Sequence, residues 1–169
     1  MTVQTAVNKY QVIGVPGEFA DDSPSRVTPY SVLANSSAQP TVGYAFTQGT
    51  NDNEAKVGGT GAFLGVLVEP KQYANYNNLN SSLEVKPGTN GELCDMGHIF
   101  VKSATVVKPG YVAAFNQTTG AISAYATAGD IPGSGYTQIP GKFIKVSTAN
   151  ANEVAILELG SFVVVPAST

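Results

Sequence analysis

The chain has 169 residues, 9 Lys and Arg, 12 Asp and Glu, and a formal net charge of −3. Only 12% of it is charged, about half the roughly 25% of an ordinary soluble domain, so Asn, Ser and Thr must carry the surface. That balance excludes the basic stripe nucleic acid requires; no apolar run approaches the roughly 18 residues of a membrane helix; and the single Cys94 allows no disulfide within the chain.

Taken in chain order, MTVQTAVNKYQ lacks the basic region and apolar stretch of a secretory signal. Residues 1–40 hold Pro16, Pro24, Pro29, Pro40 and Asp21-Asp22 without sustained alternation. They read as an extended arm with one strand at Tyr10 to Val15, separate from a β-rich core at 41–169. On that division, a chain lacking residues 1–38 keeps a folded core. Short apolar segments bounded by Gly, Pro and Asn then recur. They run Thr41 to Thr47, Phe63 to Val68, His98 to Lys102, Thr105 to Lys108, Tyr111 to Phe115, Ala121 to Tyr125, Lys142 to Ser147, Val154 to Leu159 and Phe162 to Val165. Helix formers are scarce, while Val, Thr, Tyr and Gly abound. This spacing predicts an all-β fold, a β-barrel or β-sandwich core. Tyr111 to Tyr125 is the clearest hairpin, with NQTTG as its turn and Gly120 free to take positive φ. Val154 to Leu159 and Phe162 to Val165 read as a second. Tyr73 to Ser82, rich in Asn, reads as a surface loop in which Tyr73 and Tyr76 are candidate contacts.

Few residues suggest chemistry. Cys94 and His98 stand four apart, which in a strand is about 13 Å, too far for a nucleophile and its base. A half-buried Cys and an edge His is the better reading. A zinc site needs more His or Cys than one of each. Gly58-Gly59-Thr60-Gly61 lacks the Lys-Ser/Thr and helix of a phosphate loop and runs on into a strand, so it reads as a flexible turn. Asp21-Asp22 and Glu92/Asp95 are acidic pairs with no cleft in evidence. No catalytic, metal or cofactor residue is assigned.

Four segments in order resemble the structural cement (head decoration) proteins of tailed bacteriophages. Gly14-Val-Pro-Gly-Glu-Phe-Ala-Asp-Asp-Ser-Pro-Ser-Arg26 is similar to their opening Gly-x-Pro-Gly-Asp-x-Ala. Phe63-Leu-Gly-Val-Leu-Val-Glu-Pro-Lys-Gln-Tyr-Ala74 is similar to a Phe-x-Gly-Ile-Leu-x-x-Pro-Lys-x-Tyr-Ala block. Met96 to Val101 and Pro109 to Ile122 resemble two later turn-and-strand patterns, with Tyr111 where an acidic residue is usual. The resemblance implies a non-enzymatic virion protein without cofactors, assembled in the bacterial host cytoplasm. It implies a homotrimer on the capsid surface that binds the major capsid protein. In that setting the arm would lie along a neighbour, with Val12, Val15, Phe19 and Tyr30 as apolar anchors. Arg26, the only arginine, would pair with a capsid carboxylate or cap a local turn. A different class, a β-sandwich that binds host carbohydrate on a fibre or tail, rests on Tyr73 and Tyr76.

Overall fold

The computed structural model describes residues 14–69, 84–146 and 150–160. The alternating apolar segments form nine strands there, with one 3-10 turn at Ala128–Asp130 and no α-helix among the described residues. The strands are β1 (Arg26–Leu33), β2 (Ala45–Gln48), β3 (Glu54–Val57), β4 (Phe63–Leu67), β5 (Asn90–Lys102), β6 (Val112–Asn116), β7 (Ile122–Tyr125), β8 (Tyr136–Val146) and β9 (Val154–Leu159).

Five of them close on themselves. β1 pairs with β3, β3 with β2, β2 with β4, β4 with β5, and the first half of β5 returns to β1. All these pairings are antiparallel except β1–β3. Closure removes the sheet edges and makes this core a barrel rather than a sandwich. Each of the five strands sends buried side chains to one small cluster: Val32, Phe46, Ala55 with Val57, Leu67 and Leu93. Burying each large one stabilises by about 1.5–3 kcal/mol.

The second half of β5, Gly97 to Lys102, pairs instead with β9, followed by β8, β6 and β7. This second sheet packs on the outside of the barrel through the alternate residues of the same strands. Ala45, Val66 and Cys94 neighbour the inward Phe46, Leu67 and Leu93, yet they join Ile99, Phe115, Ile139, Phe143 and Leu157 in the larger core. Period-two alternation thus feeds two cores from one set of strands.

The β6–β7 hairpin fastens the sheet to the barrel. Its turn accepts hydrogen bonds on Asn116 Oδ1 from the amides of Thr118 and Thr119, and Gly120 has φ +76°. The Gly120 carbonyl accepts from Ala45, and the Gln117 carbonyl accepts from Gly59. A Cβ at Gly58 would stand 2.6 Å from the Gln117 oxygen. The glycine run therefore makes a close contact between barrel and hairpin, where the sequence suggested only a flexible turn.

Two expectations change. The span read as arm contains β1, a barrel strand whose Val32 is fully buried, so a chain starting at Gln39 would lack one wall of the barrel. Thr105 to Lys108 is not a strand. Its Thr105 hydroxyl substitutes for one, donating to the Ala124 carbonyl and accepting from the Ala124 amide at 2.8 and 2.7 Å. With the Ser103–Ile122 bridge, it covers the free side of β7. The expected strand Phe162 to Val165 and all of Tyr10 to Val15 before Gly14 lie outside the described residues.

Thr105→Val keeps the shape but leaves both Ala124 backbone groups unpaired. It should cost about 1–3 kcal/mol, read as a lower urea midpoint with unchanged slope. Thr105→Ser, which keeps the hydroxyl, should lose less than half as much.

Candidate functional site

The segment from Gly14 to Ser25 lies along the edge of β5 that β9 leaves open. The amides of Gly17 and Ala20 donate to the carbonyls of Phe100 and His98 at 2.8 and 2.9 Å, and the Phe100 amide donates to Glu18 at 2.9 Å. Gly17 also accepts from the Glu69 amide at 2.9 Å, which ties the segment to the end of β4. These bonds carry Asp21 and Ser23 to His98.

Ser, His and Asp therefore meet, but not in the order that activates a nucleophile. His98 Nδ1 lies 2.6 Å from Asp21 Oδ2. An ionised carboxylate only accepts, so Nδ1 carries the proton. The Ser23 hydroxyl and amide both donate to Asp21 Oδ1, and Ser23 Oγ stands 3.4 Å from the same ring nitrogen, Nδ1. A catalytic triad places acid and hydroxyl on opposite ring nitrogens. Here both serve one side, and the hydroxyl proton belongs to the carboxylate. The arrangement is an anchor for the segment. Hydrogen bonds from Ser23, then from His98, hold the Asp21 carboxyl at about 2, against an ordinary 3.8. The row continues across the sheet: His98 faces Glu158 on β9, and Glu158 lies 3.4 Å from Lys142 on β8.

Cys94 does not join His98. It is fully buried between barrel and sheet rather than half-buried. Its thiol contacts the Met96 carbonyl at 3.2 Å, and burial pushes its pKa up to about 11. That is the opposite of an activated thiolate.

The arm candidates separate. Val15 and Phe19 are 41% and 38% exposed. Tyr30 is half-buried against the barrel core. Arg26 donates from Nε and Nη2 to the two Asp95 oxygens, both at 2.7 Å, joining the start of β1 to β5. Val12, Tyr73 and Tyr76 lie outside the described residues. What sequence reading missed is the Asp21–His98 pair, 77 positions apart. Only the pairing of residues 17–20 with β5 brings it together, and no local spacing signals it.

Beside this anchor runs a groove of about 1010 Å³, lined by Gly17–Ser23, Ser25, Pro29, Val68, Glu69 and Asn90–Glu92. Among the described residues, no His/Cys/Asp/Glu group has the arrangement of a metal site.

The fold is an all-β barrel with a second sheet packed on it, and Ser23, His98 and Cys94 are committed to holding it together. A family model described as structural cement protein (E217 gp24/Pam3 gp6) matches residues 3–160. The chain belongs to that family of phage structural proteins, which is non-enzymatic and gives it a capsid role in the virion. A chain of the solved structure titled "The capsid of Myoviridae Phage XM1" has a similar fold. It shows a TM-score of 0.59 and 16% identity over 96% of this chain and 100% of that one. No curated protein matches by sequence.

Because the folded Asp21 pKa is depressed, its contribution to stability is whole above about pH 4 and disappears as the pH falls toward 2. Asp21→Asn should flatten the acid limb of a stability–pH curve in that window. An unchanged limb in Asp21→Asn would show that the anchor carries no stability.

Proposed function

We propose that this protein is a capsid cement. It sits as a homotrimer on the outside of the assembled icosahedral head and clamps neighbouring major capsid subunits. The observation that carries this reading is the match to structural cement proteins over residues 3–160. The physical character of the chain supports it. A surface built from Asn, Ser and Thr, with 12% charge, suits extensive protein contact, because interface cores deplete charge. The exposed Val15 and Phe19 sit on a segment tied to β5 by backbone bonds, so a contact made there bears on the body of the fold.

The mechanism is mass action. A ligand that binds the assembled lattice and not loose subunits stabilises the lattice by RT ln(1 + [L]/Kd), about 2.7 kcal/mol per site at a hundredfold excess over Kd. Spread over many sites, modest clamps resist the outward pressure of packaged DNA. The carbohydrate-binding alternative rests on Tyr73 and Tyr76, and no observation among the described residues favours it.

Heads assembled without the protein should disrupt at a lower temperature than complete heads, and added purified protein should restore the difference. Its copy number should equal three per occupied position. Equal melting of the two kinds of head would overturn the clamp. A copy number of one per position would overturn the trimer.

A further inference from the structure

The outward face of the barrel where β1, β5 and the end of β4 meet has no layer packed on it among the described residues. Pro29 on β1 and Glu92 on β5 are opposite one another in the register. Val68 donates its amide to the Glu92 carbonyl, and Glu69 follows. The segment Gly17–Ser23 stands along this face as a wall and makes it the groove described above. Phe19, 38% exposed, belongs to that wall.

Among the described residues, the charges that line this groove all have one sign. Glu18, Asp21, Asp22, Glu69 and Glu92 line it, five of the twelve acidic residues in the chain, and none of the described lining residues is Lys or Arg. Only Asp21 has an ion-pair partner, His98; the other four take part in no ion pair among the described residues. A groove lined by carboxylates carries a negative potential, which favours a cationic partner. An extended chain fits a sheet face bounded by a parallel wall. Lys or Arg can lay an aliphatic stem on Phe19 and Pro29 while the head meets the carboxylates.

We propose that this groove docks an extended, Lys- or Arg-bearing segment of a major capsid subunit. The inference rests on the cement reading and locates its contact on the barrel face, in addition to any contact by residues before Gly14. Charge complementarity here sets partner choice and speed of encounter as well as affinity.

The test uses the full-length protein and cognate heads that lack it. Asp22→Asn, Glu69→Gln and Glu92→Gln together neutralise three groove charges. Asp52→Lys with Ser134→Lys makes the same change of net charge at exposed positions outside the groove. The groove variant should bind heads roughly tenfold more weakly than wild type, with a shallower loss of affinity as salt rises, while the control variant binds like wild type. A six-residue oligolysine peptide should shift the amide resonances of Phe19 and Gly91 in the wild type and not in the groove variant. Thermal melts check that both variants fold. If wild type binds heads and the groove variant binds equally well, this inference fails and the cement reading stands. If wild type does not bind heads, both fail. If the groove variant loses self-association in sedimentation velocity while keeping head affinity, the occupant is a second copy and the inference is overturned.

Discussion

The molecule is organised around one strand used twice. The thirteen residues of β5 give their first half to the barrel, through β1 and β4, and their second half to the outer sheet, through β9. Gly97, at φ +126° with Ser25 close against it, stands where the strand changes partners. Neither sheet can shift against the other without breaking a ladder of β5. The remaining features follow. The hairpin turn at Gly120 docks on Ala45, the Arg26–Asp95 pair joins β1 to β5, and residues 17–20 occupy the last open edge of that strand. A protein that must resist stress from its surroundings gains from such closure. The free side of β7 and the open side of the second half of β5 are covered, while the first half of β1 keeps an open edge at which Pro29 offers no amide.

Sparse charge acquires a more specific meaning against this fold. The carboxylates are not spread evenly, since five line one groove while the outer sheet shows Glu158 in alternation with His98 and Lys142. Neutral polar residues cover much of the rest. A few charged places on a quiet surface restrict which partner orientations are favourable, because like-charge meetings are costly and complementary ones are few.

The parts legible in sequence are those where burial and turn chemistry agree. Tyr111 to Tyr125 reads as a hairpin because YVAAF and AISAY are mostly apolar and NQTTG between them has turn chemistry. Phe63 to Val68 and Val154 to Leu159 succeed for the same reason. β1 was hidden because Arg26 to Pro29 are exposed and Pro29 argues against a strand. The bond of the Ser31 amide to Asn53, with that of Val32 to Thr89 on the β5 side, puts every odd amide on the far side. Pro29 therefore lacks a donor only where β1 has no neighbour. β3, EAKV, carries two charged residues in four and buries only Ala55 and Val57. β5 and β8 contain Gly97 and Pro140-Gly141, which read as breaks; Gly97 stands where β5 changes partners, and the register of β8 against β6 shifts across Pro140 and Gly141. The family was legible from small-residue motifs, while the Asp21–His98 anchor and the acidic groove were not. Both are products of long-range pairing between residues 17–25 and β5, and no sequence window contains both sides.

The central claim is that the protein recognises the assembled lattice rather than its isolated parts. The most direct test compares its affinity for mature, expanded heads with its affinity for soluble major capsid subunits under one buffer and salt. A clamp over subunit junctions predicts saturable binding to heads and at least a hundredfold weaker binding to free subunits. Equal affinity for the two would contradict the account, because such a ligand cannot shift the balance between assembled and loose subunits.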